Sequence, residues 1–178
     1  MVKGDDLSLW TFSLETKQAK PFGEVNSSIP TGATFSPDGR WVAYTTAGPG
    51  NASIGISVQP FPATGAKYPL FVARPAGAPT NAPHKPVWSP DGKELFYVPR
   101  IGGFEVVPVK TKPGFAFGNP VTVPKAFSVG PPDFRRMYEI TPDGKFLALV
   151  STEPTTPEEF GTSKIQVILN WLPLRKRW

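Results

Sequence analysis

The sequence has no cysteine, one histidine and two methionines in 178 residues. Without cysteine, the chain cannot form disulfides, thiolate metal sites or iron–sulfur clusters, and it cannot use thiol catalysis. No run of 18 apolar residues is present, so no segment is typical of a transmembrane helix. The first six residues also lack the apolar stretch of a signal peptide.

Charge is sparse as well. Lysine and arginine number 19 against 14 acidic residues, a net charge of +5, and three of the basic residues lie together at 175–177. The other basic residues are scattered, whereas nucleic-acid binders usually concentrate them along one element with interleaved aromatic residues. We therefore expect no nucleic-acid partner.

Proline and glycine, in contrast, are abundant, at 23 and 17 residues, while 39% of the chain is hydrophobic. This composition excludes a coiled coil, and it leaves enough apolar side chains for a core, unlike a disordered chain. It favours many short strands joined by turns.

One turn motif occurs three times, with its glycines 53 and 52 residues apart. Proline favours the second position of a type I turn, aspartate the third, and glycine adopts the left-handed conformation that starts the returning strand. We therefore interpret the motifs as structural hairpin turns, and we assign the aspartates to backbone hydrogen bonds rather than to metal binding. The copies are Ser36-Pro37-Asp38-Gly39, Ser89-Pro90-Asp91-Gly92 and Thr141-Pro142-Asp143-Gly144.

Apolar and alternating segments around these turns predict thirteen strands. An apolar strand follows each turn, and a further strand comes after it in each repeat. Weaker fourth strands follow in the first two repeats, and the opening segment resembles the third and fourth strands of a unit that lacks its first half. The segments just described are 41–44, 95–98 and 146–150; then 54–58, 104–109 and 165–169; then 68–72 and 121–123; and finally 7–14 and 19–22. The other three strands are those that lead into the three turns.

Four antiparallel strands per unit of about 50 residues are typical of propeller blades. The predicted fold class is therefore an all-β, partial β-propeller of about 3.4 four-stranded blades, forming a single domain over residues 1–178. Its predicted parts are a half blade at 6–29, blades at 30–80, 81–130 and 131–172, and a tail at 173–178.

Three segments resemble a known family. The stretch Trp88-Ser89-Pro90-Asp91-Gly92-Lys93 resembles the WD-like repeats of TolB-type β-propellers. Gln59-Pro60-Phe61-Pro62 and the segment 166–171 resemble the last blades of propellers at the C-terminus of bacterial eukaryotic-like serine/threonine kinases. The resemblance implies a bacterial protein, extracytoplasmic as part of a longer membrane-anchored chain, with any kinase activity on another part.

Motifs for chemistry are absent from the sequence. His84 is the one histidine, and the sequence has no Gly-x-Ser-x-Gly nucleophile motif whose serine it could activate. We therefore interpret His84 as a surface loop residue. No calcium loop or phosphate-binding loop is present. We therefore predict no catalytic residue, no metal site, no cofactor and no enzymatic activity.

Recognition is expected on loops, because loops on a rigid scaffold commonly carry binding. The loops 75–86, 131–136 and 153–161 are long and rich in proline. Phe134, Arg135 and Arg136 would place an aromatic ring beside two guanidinium groups, a candidate anchor for an acidic partner. We assign Trp41 and Trp88 to packing between blades.

The predicted function is a non-catalytic propeller scaffold that binds a protein, a peptide or another ligand as part of a larger sensor or kinase-linked protein. One alternative is a propeller that gates a separate hydrolase of the prolyl oligopeptidase type. The other is a self-assembling half-propeller. Because an open arc would expose apolar faces and strand edges, we expect two copies to form a ring of about seven blades, or another half of the parent protein to complete it.

Overall fold

The computed structural model describes residues 7–49, 54–70, 82–125, 127 and 129–150. Every regular element in these ranges is a β-strand, and the strands form separate antiparallel sheets that follow one another along the chain. The described part of the chain is therefore all-β, with the successive antiparallel sheets of a propeller, as the repeats predict. The predicted strand at 165–169 and the tail at 173–178 lie outside the described residues.

The four sheets are successive units of the propeller. The first is a hairpin of β1 (Leu7–Phe12) and β2 (Ala19–Ser27). The second has the order β3 (Thr34–Phe35), β4 (Trp41–Thr46), β5 (Gly55–Pro60) and β6 (Tyr68–Pro69). The third contains β7 (His84–Trp88), β8 (Glu94–Val98), β9 (Glu105–Lys110), β10 (Ala116–Phe117) and β11 (Val121–Thr122). The fourth is a hairpin of β12 (Tyr138–Ile140) and β13 (Phe146–Ala148).

The repeated motifs form the turns between the first two strands of the last three units. In the first turn, the Ser36 hydroxyl donates to Asp38 Oδ1 (2.6 Å) and accepts from the backbone N–H of Trp41 (3.0 Å). The second turn repeats this pattern with Ser89 and Asp91. The positive φ angle that a hairpin turn requires is present in all three motifs, at 69° in Gly39, 69° in Gly92 and 81° in Gly144.

The third turn is one residue tighter than the other two. Phe35 pairs with Val42 across the first hairpin, a separation of seven residues, whereas Ile140 pairs with Phe146, a separation of six. Accordingly, the Thr141 hydroxyl accepts from the N–H four residues on, that of Lys145 (3.1 Å). A shift of one residue turns every side chain of a strand to the opposite face. The ungapped alignment of the repeats therefore does not predict which face of β13 is buried.

Apolar clusters lie between successive sheets and hold them together. The largest fully buried side chains come from the second and third sheets, which have neighbours on both faces. The cluster between the second and third sheets includes Ala43, Val58, Leu95 and Val107. The cluster between the third and fourth sheets includes Phe96, Phe104, Val106, Tyr138 and Phe146. Burial of this kind contributes about 25 cal/mol for each Å² of apolar surface.

The two outer sheets each leave one face uncovered within the described residues. On β1, Leu9 packs against the second sheet, whereas Trp10 and Phe12 are 54% and 58% exposed. At the other end, Leu147 and Leu149 are 57% and 67% exposed. The described residues contain no helix of the length and apolarity that a membrane span requires.

Candidate functional site

A pocket of about 260 Å³ lies where the first strands of three successive units converge. We call it the inner-strand pocket. Each unit contributes the same three repeat positions, which are the last two residues of the inner strand and the proline of the turn. Its lining residues are Thr34, Phe35, Pro37, Val87, Trp88, Pro90, Glu139, Ile140 and Pro142.

Aromatic and proline side chains make most of this pocket apolar. Trp88 is buried, and its indole N–H donates to the backbone oxygen of Thr34 (3.3 Å), which joins two neighbouring inner strands. Phe35 is half exposed, and its ring meets the ring of Phe61 edge-on with centroids 5.1 Å apart. These contacts fix the orientation of both aromatic walls before any ligand enters.

Glu139 provides the one carboxylate among the lining residues. The equivalent positions in the other two repeats hold Thr34 and Val87, so the glutamate is a departure from the repeat. Its Oε2 accepts from Arg136 Nη2 at 2.5 Å, and its Oε1 accepts from the backbone N–H of Ile140 at 3.1 Å. The side chain is 54% exposed, so water can reach the carboxylate.

Arg136 holds this carboxylate in place and also joins two units. Its Nη1 donates to the backbone oxygen of Pro86 on β7 (2.9 Å), and its Nε donates to that of Tyr138 on β12 (3.1 Å). With the bond to Glu139, the guanidinium is engaged on three sides and its side chain is only 18% exposed. Arg136 is therefore a positioning residue for Glu139.

Of the three residues in the candidate binding loop, Phe134 and Arg135 are exposed on the surface. Arg136 is instead turned inward to the contacts just described. The structure therefore separates the two guanidinium groups that the sequence places side by side. Whether Phe134 and Arg135 bind a partner stays a prediction. The loop 153–161 and residues 75–81 of the other loop lie outside the described residues.

The prediction that His84 is a surface loop residue is wrong. His84 begins β7 and is fully buried, and the backbone at Gly130 lies against its ring. Its Nδ1 lies 2.7 Å from the backbone oxygen of Ala82, and its Nε2 lies 3.2 Å from that of Gly130. Burial lowers the pKa of His84, while the two carbonyl contacts oppose that shift.

Lys85, the next residue, connects three units of the fold. It has a positive φ of 56°, which is uncommon for a residue with a side chain. Its backbone N–H donates to Thr45 Oγ1 (3.0 Å), its backbone oxygen accepts from the Tyr138 hydroxyl (2.5 Å), and its Nζ donates to Gly130 O (2.8 Å). Burial lowers the pKa of Lys85 to about 8, although the Asp133 carboxylate opposes the shift.

Sequence reasoning missed both Glu139 and the junction around Lys85. The sequence does contain a signal for Glu139, because the third repeat has an acidic residue at the position where the other two repeats have Thr34 and Val87. No local signal marks Lys85 or His84, since their burial depends on a loop about 45 residues further along the chain. Within the described ranges, no three His, Cys, Asp or Glu side chains are grouped so that they could hold a metal ion.

No protein-family model matches the sequence, and no curated protein matches it either. Two solved structures with a similar fold each bear the name "putative 6-phosphogluconolactonase". The protein from Bacteroides uniformis is 18% identical with a TM-score of 0.45, and the one from Bacteroides fragilis is 17% identical with a TM-score of 0.47. The matches cover 83% and 82% of this chain but only 41% and 42% of those proteins, so the chain spans about two fifths of their length.

These comparisons correct three predictions made from the sequence. The similar structures are named as lactonases and not as kinase-linked TolB-type propellers, so the family resemblance is wrong. The same names contradict the prediction of a non-catalytic scaffold and the prediction that the chain is not an enzyme. The turn motifs and apolar strands that suggested that family are properties of the propeller fold, and the fold is what the chain shares with its structural neighbours.

Proposed function

We propose that the inner-strand pocket is part of the active site of a hydrolase that acts on a small ester or lactone. The observation that carries this proposal is the Glu139–Arg136 pair at the wall of the pocket. A carboxylate that is held by an arginine and remains open to water is suited to act as a general base. The aromatic and proline walls would bind the apolar faces of a small cyclic substrate.

The reaction would need only water and this carboxylate. Glu139 takes a proton from a water molecule while the water oxygen bonds to the carbonyl carbon of the lactone. The ring C–O bond then breaks, and Glu139 returns the proton to the departing oxygen, giving the hydroxy acid. Arg136 keeps the carboxylate oriented through the bond to Oε2, which leaves the remaining lone pairs for water.

The test is hydrolysis of gluconolactone and of its 6-phosphate by the purified chain. We choose lactones as the first substrates because the names of the two similar structures give this class for those proteins. Glu139→Gln should lower kcat by about 10²-fold or more, since it removes the base and keeps the shape. The matched control is Glu15→Gln, which makes the same change in the exposed turn after β1 and should keep full activity.

Two outcomes would contradict the proposal. One is the absence of hydrolysis above the uncatalysed rate with either lactone. The other is equal activity of Glu139→Gln and the unchanged chain, which would place the chemistry elsewhere. In that second case, a lower rate in Arg136→Lys would show that the arginine, rather than the carboxylate, is the important group.

We also propose that additional strands complete the ring, supplied by a second copy of the chain or by another part of the same protein. Trp10, Phe12, Leu147 and Leu149 support this, because they expose apolar surface on both outer sheets. We propose the domain division at 30–80, 81–130 and 131–172 on the same basis of one sheet per unit. Light scattering of the purified chain would test self-association, which a mass of 19.3 kDa at tens of micromolar would contradict.

A further inference from the structure

The two outer hairpins are complementary halves of one blade. In the complete units the first strand pairs with the second and the second with the third, as in β3-β4-β5-β6. The β12–β13 hairpin follows a repeat turn and so provides a first and a second strand. The β1–β2 hairpin corresponds to a third and a fourth strand, as β5 and β6 do. Within the described residues, which end at 150 and so do not include the strand predicted at 165–169, each hairpin lacks what the other contains.

Among the described residues, both hairpins also have an edge without a partner strand at the position where the missing strand belongs. Within the described residues, β1 pairs only with β2, and β13 pairs only with β12. An unpaired edge is a template for another strand, and addition of a strand to such an edge is a common mode of association. We propose that β1 of a second copy pairs antiparallel with β13, giving a composite blade in the order β12-β13-β1-β2. This deepens the ring completion proposed above.

The faces of the two hairpins agree with this pairing. Phe146 and Ala148 face the third sheet, and the exposed Trp10 and Phe12 would extend that same face. The other face would combine the exposed Leu147 and Leu149 with Leu9 of the second copy. Leu9 already packs on its own second sheet, in the cluster of Phe22, Val25, Val42 and Tyr44. The composite blade therefore covers the exposed apolar residues of both ends at once.

Two-fold symmetry makes this contact close on itself. Each copy provides both hairpins, so two copies form two composite blades, and each copy adds its own second and third sheets as complete blades. The result is a closed ring of six blades with no free sheet edge at either junction. The strand positions thus favour six blades over the seven expected from the length of the chain.

Cysteine cross-linking tests the pairing directly, because the chain has no cysteine of its own. A chain with Leu147→Cys is mixed with a chain that carries Leu7→Cys, Leu9→Cys or Thr11→Cys and is then oxidised. Directly opposite residues in antiparallel strands lie about 4.5–5.5 Å apart, within the range for a disulfide. We expect one of these same-face pairs to give a disulfide in most of the mixed dimers.

The matched control is Leu147→Cys mixed with Trp10→Cys, which lies on the opposite face and should not cross-link. The outcomes distinguish self-association of the chain from the specific pairing of β13 with β1. A monomeric mass would overturn self-association and the composite blade together. A dimeric mass without any same-face disulfide would keep self-association and overturn the β13–β1 pairing. The pairing would also be overturned if β13 paired instead with the strand predicted at 165–169 of its own chain. Lactone hydrolysis, measured in parallel, is independent of either outcome.

Discussion

At the scale of single residues, the three turn aspartates share a lowered pKa, because each accepts hydrogen bonds from the basic residue after the motif glycine and from the motif's own serine or threonine hydroxyl. The Ser36 hydroxyl is the main cause for Asp38, whose pKa is lowered to about 2. Burial opposes the shift in Asp91, but the bond from Ser89 and those from Lys93 outweigh it, so its pKa is also lowered. The ionised aspartate is thus the form that the turn binds, which agrees with a structural role for the motif.

Removal of the Ser36 hydroxyl should raise the pKa of Asp38. In Ser36→Ala we expect the pKa to move from about 2 towards its usual range, because the strongest donor is lost. A carboxyl group with a lowered folded-state pKa stabilises the fold above its unfolded pKa and loses that contribution as the pH falls. The stability deficit of Ser36→Ala should therefore be full at pH 7 and shrink towards pH 2. NMR titration of the side-chain carboxyl measures the pKa, and Ser89→Ala, in another turn, should leave it unchanged.

Lys85 should make the fold more stable as the pH rises above neutrality. Its folded-state pKa is about 8, below the value of an unfolded lysine, so the unfolded chain binds more protons between these values. Its contribution to the free energy of unfolding should then rise between pH 8 and pH 9.5 by an amount on the order of 1 kcal/mol. Urea unfolding of the unchanged chain and of Lys85→Met measures the difference. The same slope with pH in both proteins would show that Lys85 keeps an ordinary pKa.

At the scale of strands and turns, the sequence predicts the repeated parts well and the departures from them poorly. The spacing of the turn motifs and the apolar segments after them predicted β4, β8 and β9, because turn chemistry and alternation are local properties. The tighter third hairpin was not predictable, since its register depends on packing of Phe146 against the third sheet. The pocket positions follow from the repeat, whereas the bonds of Arg136 to Pro86 and Tyr138 require the path of residues 129–137.

Replacement of the glycine in the second turn should destabilise the fold. Gly92 has a φ of 69°, and a Cβ there would make only ordinary contact with Pro37, so the cost of Gly92→Ala is conformational. We expect a loss of about 1 kcal/mol in the free energy of unfolding. Gly55→Ala is the control, because that glycine begins β5 without a positive φ and with open space around it. Equal melting temperatures for the two variants would contradict the conformational requirement at Gly92.

At the scale of the whole molecule, stability is distributed unevenly between the middle and the ends. The second and third sheets contain fully buried side chains such as Tyr44, Tyr97 and Val98. The outer hairpins have two strands each, and an isolated pair of strands is marginal without a partner. The composite blade would supply that partner, so association and folding of the outer hairpins should be one process.

Stability should therefore depend on protein concentration. When two folded copies associate and the unfolded chains do not, each tenfold increase in concentration adds about 1.4 kcal/mol to the apparent free energy of unfolding per dimer. We expect the urea midpoint of the purified chain to rise across a hundredfold range of concentration. In the double variant Trp10→Lys, Leu149→Lys, two exposed apolar side chains of the proposed junction become charged. Its midpoint should be lower and independent of concentration, while β4, β8 and β9 keep their protection from hydrogen exchange. A midpoint of the unchanged chain that does not move with concentration would mean that the outer hairpins are completed within a single chain.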